Sequence, residues 1–348
     1  MKVLVTGGAG YVGSHTVRRL LAAGHEAYVY DNLSTGHRES IPDVPLIVGD
    51  LADSEPLASF LNRTRIDAAI HFAAVASVAE SVAQPLRYYD QNVTNTIKLL
   101  EALRTHGIRR LVVSSSCAVY GNPDSSPITE ETVPRPISPY GRSKLMIEQI
   151  LADCASAHGL GYTALRYFNA AGAHPDASLG EDHTPETHLI PLALQVALGQ
   201  RTQLEILGTD YPTPDGSCIR DYVHVDDLAE AHLAAVEITQ PGHGMCCNLG
   251  LGRGWSVREV IRACEEVSRE SIPIVQRMRR PGDPAALFAD ASCARAALGW
   301  TPRFTQLEEI IATAWNWHQE HPFGYSNQPA TLPFPTSAPP PQPLREAA

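Results

Sequence analysis

Short runs of β-branched and apolar residues alternate with longer amphipathic segments through the first half of the chain. The runs are Lys2–Thr6, Glu26–Asp31, Pro45–Asp50, Ala68–Phe72, Leu111–Ser115 and Tyr162–Tyr167. Most are apolar on both faces, as strands of a covered parallel sheet are. Between several of them, Val12–Ala23, Tyr88–His106 and Pro139–His158 carry helical spacing. In Tyr88–His106 the apolar positions Val93, Ile97, Leu100 and Leu103 recur every three or four residues. Strands and helices in this alternation predict an α/β fold, a doubly wound parallel sheet of Rossmann type with helices on both faces.

After about residue 170 the pattern loosens. Loops rich in Gly and Pro (Ala171–Pro185, Gly208–Gly216) separate helical segments at Leu189–Leu198 and Asp227–Glu237. Insertions of this kind predict a smaller mixed α/β domain over the strand ends, where such sheets bind ligands. The expected division is a sheet domain over residues 1–170, with returning segments from the second half, a mainly substrate-binding domain over 171–322, and a tail over 323–348. A last helix is expected at Thr305–Gln319. Residues 325–348 then hold seven of the 27 prolines and few large apolar residues, which predicts a disordered tail.

Composition narrows the function. Hydrophobic residues make up 44% of the 348 positions and charged residues 19%, enough apolar material for a core. The 27 Lys and Arg against 38 acids give a net charge of -11, which argues against a nucleic-acid partner. No apolar stretch reaches the ~18–20 residues that span a bilayer. The N-terminus runs directly into Val3-Leu4-Val5, without the regions of a signal peptide. Seven cysteines with no Cys-x-x-Cys pair indicate neither a disulfide framework nor a zinc site, and Cys246-Cys247 read as small strand residues. A soluble cytoplasmic protein is expected.

Gly7, Gly10 and Gly13 follow the first strand and open the first helix. A tight turn, a backbone that approaches pyrophosphate without Cβ atoms, and a helix N-terminus facing the phosphates all call for that spacing. Asp31 ends the second strand, where a carboxylate accepts hydrogen bonds from ribose hydroxyls and repels a 2′-phosphate. Asn32 and Leu33 supply no arginine to reverse this, so NAD is expected rather than NADP. Asp50, after the third strand, suits the adenine edge.

Tyr140 and Lys144 stand one turn apart at the start of a helix. A phenol acting as a base near neutrality must be acidified from its usual ~10, at a cost of about 4 kcal/mol. One positive charge at ~4 Å supplies about that much at an effective dielectric of ~20. Lys144 together with an oxidised nicotinamide meets the requirement. Ser114-Ser115-Ser116 ends the fifth strand, where a hydroxyl can bond the reacting oxygen. These are the parts for moving a hydride at a carbinol carbon.

With these motifs the chain resembles the extended short-chain dehydrogenase/reductase family, and within it the sugar-nucleotide epimerases. The resemblance runs to about residue 320. It is carried by Val5–His15, Asp31-Asn32-Leu33, His71–Ala74, Tyr88–Val93, Ser114-Ser115-Ser116 with Val119-Tyr120-Gly121, Ser138–Lys144, Leu165–Asn169, Gly208–Thr213, Arg220–Val225, Asn248-Leu249-Gly250 and Arg280–Asp283. It implies bound NAD, a UDP-sugar substrate, a homodimer, and interconversion of UDP-glucose and UDP-galactose. C4 is oxidised, the 4-keto sugar turns over, and C4 is reduced on its other face. The implied catalytic residues are Ser116, Tyr140 and Lys144. The implied cofactor residues are Gly7, Gly10, Tyr11, Val12, Gly13, Asp31, Asn32, Asp50, Leu51, Phe72, Ala73, Ala74, Asn92, Ser114, Tyr140, Lys144 and Tyr167. Substrate is assigned to Ser116, Tyr140, Asn169, His188, Leu189, Arg220, Arg280, Asp283 and Leu287.

Three positions depart from the family pattern. His188 stands where many members have an asparagine, Ala76 where some have a lysine near the phosphates, and Leu287 where some have a tyrosine that narrows the sugar pocket. The smaller Leu287 leaves room for an N-acetyl group, so UDP-N-acetylglucosamine is a further expected substrate. Two rival readings remain at this stage. A 4,6-dehydratase needs an Asp-Glu pair after the strand-end hydroxyl, where this chain has Cys117 and Ala118. A redox-silent NAD-binding regulator would have lost Tyr140 or Lys144. His174, His183 and His188, with Glu181 and Asp182, crowd one loop, but their spacing matches no ligand pattern and no metal is expected.

Overall fold

The computed structural model describes residues 1–124, 126–279 and 283–326. Strands β1 (Lys2–Thr6), β2 (Glu26–Asp31), β4 (Ala68–His71), β5 (Arg110–Ser116) and β6 (Gly161–Tyr167) follow the sequence pattern closely, and β3 (Leu46–Val48) follows it in part. After them come β7 (Asn169–Ala171), β8 (Leu204–Leu207), β9 (Ile219–Arg220), β10 (Tyr222–His224) and β11 (Gly244–Leu249). Of these later strands β11 rejoins the large sheet, whose order is β11-β6-β5-β4-β1-β2-β3. All its pairings are parallel. The order reverses between β1 and β4, with Thr6 opposite His71 at the strand ends, and a ligand crevice opens at that switch point.

Helices cover both faces. They are α1 (Tyr11–Ala22), α2 (Ser54–Leu61), α3 (Val78–Ala83), α4 (Pro85–Tyr88), α5 (Asn95–Thr105), α6 (Pro139–His158), α7 (Leu189–Ala197), α8 (Val225–Ile238), α9 (Val257–Ser268), α10 (Ser292–Leu298) and α11 (Leu307–Glu320). Val3 and Val5 pack with Val17 and Leu20 of α1 and Leu228 and Val236 of α8. Leu4 points the other way, into a core with Leu99 and Leu103 of α5 and Ile147 and Leu151 of α6. The two-residue period of the strand thus assigns neighbours in sequence to opposite cores. A third core joins α7, α9 and α11 through Ile190, Leu194, Val260, Ile310 and Ile311. Three short strands complete that lobe: β12 (Trp255–Ser256), β13 (Ile274–Arg277) and β14 (Ala286–Leu287). No helix among the described residues is long and apolar enough to cross a membrane.

Four sequence expectations need correction. The third strand is three residues rather than six, although Pro45 and Gly49 still bond β2 at its two ends, through the Val29 amide and the Asp31 carbonyl. The continuous helix expected over Tyr88–His106 is α4, a π-turn at Tyr89–Thr94 and α5. Ile97, read as a core position, is exposed, while Leu99 takes its place inside. Phe323–Ser326 do not belong to a loose tail. The Tyr325 amide donates to Asp182 and its ring packs on Trp317, 4.8 Å between centroids. The rest of the expected tail, 327–348, lies outside the described residues.

Candidate active site

The turn after β1 packs so closely that two of its glycines are obligatory within the chain itself. Gly7 has φ +73, and a Cβ there would lie 2.5 Å from the Ala73 amide nitrogen. A Cβ on Gly13 would lie 2.2 Å from the Gly7 carbonyl oxygen. Gly10 is different. Its backbone is ordinary extended chain, and a Cβ there would meet nothing closer than 3.4 Å. The protein does not require glycine at this point, whereas a phosphate lying against the turn does. Helix α1 starts at Tyr11-Val12 with no side-chain cap and no acidic residue in its first turn, so its positive end is free for an anion. The turn fits a pyrophosphate.

Asp31 is buried against this turn, accepting from the amides of Ala9 (3.0 Å) and Leu33 (2.9 Å). Burial raises its pKa, and the two amides oppose the rise. Asn32 donates to the Asp50 carboxylate at 2.8 Å, so these two are joined at the ends of β2 and β3, with Leu51 buried beside them. Phe72 and Ala73 both donate their amides to the Thr6 carbonyl, which draws the β4 end, with Ala74 following, alongside the glycine turn. Asn92, read as a cofactor contact, is fully buried and otherwise occupied. Its amide group exchanges two hydrogen bonds with the Val75 backbone and donates to the Ser143 hydroxyl. It fixes the loop after β4 to α6 and holds position for its neighbours.

Ser116, Tyr140 and Lys144 come together beside this crevice. Ser138 caps α6 by accepting from the Gly141 amide, and Pro139 fills its first position, which sets where Tyr140 enters the site. Lys144 Nζ donates to the Ser114 carbonyl at 2.7 Å and stands 5.9 Å from the Tyr140 ring centre. Burial pushes the Tyr140 phenol up to about 12, while hydrogen bonding with Ser116 pulls the other way. Burial also lowers Lys144 to about 8, against an opposing pull from Glu148. Burial therefore dominates both groups, and the lysine's charge is not among the influences that move the phenol. The hydroxyls of Ser114 and Tyr167 lie 2.5 Å apart and bond each other.

Beneath these groups lies a polar network that the sequence reading missed. Arg166 donates to Glu148 through Nε (2.9 Å) and Nη2 (2.5 Å) and to the Tyr120 hydroxyl (2.8 Å). Tyr120 donates to Asn248, and Ser115 to Glu148, so β5, β6, β11 and α6 are tied together. The available signal was an arginine inside the otherwise apolar run Tyr162–Tyr167, since a buried guanidinium needs a carboxylate. His71 was missed as well. It lies between Thr6 and Thr96 hydroxyls at 2.7 and 2.9 Å, and burial depresses it to about 3, so it stays neutral.

On the far side of the crevice, Arg220 bonds Asp283 at 3.0 Å across 63 residues of sequence, and both are largely buried. Leu287 pairs with Arg220 in the β9–β14 register and packs with Val119, Tyr120 and Phe168. Asn169 is half-buried on β7, opposite Tyr222. Leu189 opens α7 and packs partly against the third core, and His188 stands just before it as the N-cap residue without a capping bond. His188 Nδ1 is 2.5 Å from Glu181. Partial desolvation works against its cation, although 58% of the side chain is exposed, and Glu181 and Glu186 together hold it well above the usual histidine range. Arg280 lies outside the described residues. Its neighbours Arg277 and Arg279 pair with the exposed Glu205 and Asp210.

A doubly wound sheet, a glycine turn with room for a pyrophosphate, a buried carboxylate at the end of β2 and a Tyr-Lys pair at the strand ends are the features of a dinucleotide-dependent enzyme. The sequence profile of the NAD dependent epimerase/dehydratase family matches residues 3–250, and the chain belongs to that family. Among its relatives, the UDP-glucose 4-epimerase of Halalkalibacterium halodurans is 50% identical over 329 residues, covering 94% of this chain and 98% of that protein. The crystal structure of UDP-glucose 4-epimerase from Brucella ovis in complex with NAD is 48% identical, with TM-score 0.87 over 90% of this chain and 97% of that one. The Bifidobacterium longum enzyme in complex with NAD+ and UDP is 39% identical, with TM-score 0.90 over 93% of this chain and all of that one.

Proposed function

We propose that this chain is a UDP-glucose 4-epimerase that uses NAD to interconvert UDP-glucose and UDP-galactose. The observation that carries this reading is the convergence of Ser116, Tyr140 and Lys144 on a crevice with a glycine turn on one side and the Arg220–Asp283 pair on the other. NAD, when bound, supplies a hydride acceptor for the sugar C4 and a positive charge that favours the Tyr140 phenolate. The glycine turn and the α1 N-terminus hold its pyrophosphate, Asp31 its ribose, and Asp50 with Asn32 the adenine end.

Tyr140 takes the proton of the sugar 4-hydroxyl as its C–H bond breaks and returns it in the reverse step. Ser116 bonds the same oxygen. Lys144, anchored on the Ser114 carbonyl, stabilises the phenolate by its charge. Arg220, oriented by its bond to Asp283, holds the UDP diphosphate through forked, charge-assisted bonds, and Asn169 lines the substrate side of the same crevice. Binding energy from the remote nucleotide retains the 4-keto sugar while its ring, loosely held, turns over. The dehydratase reading has no carboxylate pair in the turn Cys117–Val119.

The enzyme acts as a homodimer in the cytoplasm. The exposed Ile97 of α5 and Met146 of α6, beside a groove lined by Leu100, Ile150 and Cys154, support the first, and seven free cysteines support the second. Incubation of the purified chain with UDP-galactose tests the activity. UDP-glucose is the expected product; a 4-keto-6-deoxy product or no turnover overturns the reading. Light scattering after gel filtration tests the dimer, and a monomer at micromolar concentration refutes it.

A further inference from the structure

Glu181, His183, Glu186 and His188 converge so closely that one ligand atom from each lies within 4.8 Å of all the others. His174 and Asp182, which crowd the same stretch of sequence, take no part; His174 bonds Asp176 instead. The missing member in the sequence reading was Glu186. The separations within the box are 3.2 Å (His183 Nδ1 to Glu181 Oε1), 3.7 Å (His183 Nδ1 to Glu186 Oε2), 3.4 Å (His188 Nδ1 to Glu186 Oε1) and 2.5 Å (His188 Nδ1 to Glu181 Oε1). Donors around a tetrahedral zinc ion, with bonds of ~2.0–2.1 Å, stand about 3.3–3.5 Å apart. Three of the four separations fall around that value, with His183 and His188 each facing a different oxygen of Glu186. The fourth needs to open by about 1 Å.

We infer that these four side chains form a binding site for one divalent transition-metal ion of the zinc class, which staples the loop before α7. Both carboxylates are buried, Glu181 5% and Glu186 4% exposed at the side chain. Two buried negative charges demand two positive ones, and one divalent ion supplies them while leaving both imidazoles neutral. His183 Nδ1 gives an independent sign. It has no exposed surface and no hydrogen bond of good geometry, although two carboxylates stand within 3.7 Å. A nitrogen that faces oxygens without bonding them fits a lone pair directed at an ion between them. The surroundings fit as well. The amides of Thr187 and His188 donate to Glu186, and His188, 58% exposed at the side chain, leaves an entry path. The site sits next to the nucleotide crevice, since the His183 ring meets Tyr11 edge-on at 6.3 Å.

The test uses the full chain, freed of metal by chelator dialysis and titrated with ZnCl2. The expected result is about one equivalent of zinc retained through gel filtration, with a rise in the thermal unfolding midpoint. Glu186→Gln should weaken zinc binding by ~100-fold or more, beyond what losing an outer partner costs. Zinc bound equally well by Glu186→Gln, or no retained zinc, overturns the site and leaves two ion pairs in its place. Because Glu186→Gln risks misfolding, Co2+ is added to the wild-type chain as a second measurement. A visible spectrum typical of tetrahedral nitrogen and oxygen ligands supports the site. A thiolate charge-transfer band or an octahedral spectrum refutes it.

Discussion

Tyr140 and Lys144 each carry their charge at a cost set by burial. The phenol is pushed up to about 12 and the ammonium down to about 8 by the same loss of water. With the phenol as base, Tyr140→Phe should lower kcat by ~1000-fold or more while the purified protein retains NAD, measured by release on denaturation. Activity within tenfold of wild type would remove Tyr140 from its role. For Lys144 the sign follows from linkage. Between about pH 8 and its unfolded value of 10.5 the unfolded chain binds more protons, so the penalty that this lysine imposes on folding fades as pH rises. Lys144→Met lacks that titration. Its stability advantage over wild type, from urea midpoints, should therefore shrink from pH 7 to pH 10; a constant gap would show that the ammonium is not paying for burial.

At the level of elements, the chain's own packing accounts for Gly7 and Gly13 but not for Gly10, which the proposed function explains by the dinucleotide's phosphates. Gly10→Ala should leave the unfolding midpoint within a few degrees of wild type and reduce NAD content at least ~10-fold. Gly13→Ala, whose Cβ meets the Gly7 carbonyl at 2.2 Å, should lose stability whether or not NAD is present. Equal losses of stability in both variants would refute the distinction. The strands and the glycine turn were legible in the sequence because they obey local rules, a two-residue period and a fixed spacing. The π-turn in Tyr89–Thr94 was not. Asn92 is the residue involved, and its bonds go to Val75 and Ser143, 17 and 51 residues away. The Arg220–Asp283 pair and the Glu148–Arg166 anchor are likewise products of tertiary packing, which no window of sequence contains.

Across the whole molecule, two lobes divide the work of gripping and releasing. In the proposed function the sheet domain holds the dinucleotide, in a crevice walled by buried strands. Arg220, on β9 of the smaller lobe, lies one strand from Leu287 on β14. Under the proposed function the charged grip and the wall of the sugar pocket stand on neighbouring strands, so a change in the wall is expected to leave the grip in place. Leucine at 287 offers no hydroxyl to the sugar and no ring to exclude a larger C2 substituent. UDP-N-acetylglucosamine should then be turned over with kcat/KM within ~1000-fold of UDP-glucose, because a loose apolar wall does not supply the ~4 kcal/mol that a larger ratio requires. Leu287→Tyr should lower kcat/KM for the acetylated sugar by ~10-fold or more with a smaller effect on UDP-glucose. Unfolding midpoints are needed alongside, since the side chain packs on Val119 and Phe168. A wild-type enzyme that rejects the acetylated sugar more than ~1000-fold would mean that a part of the pocket other than Leu287 sets its width.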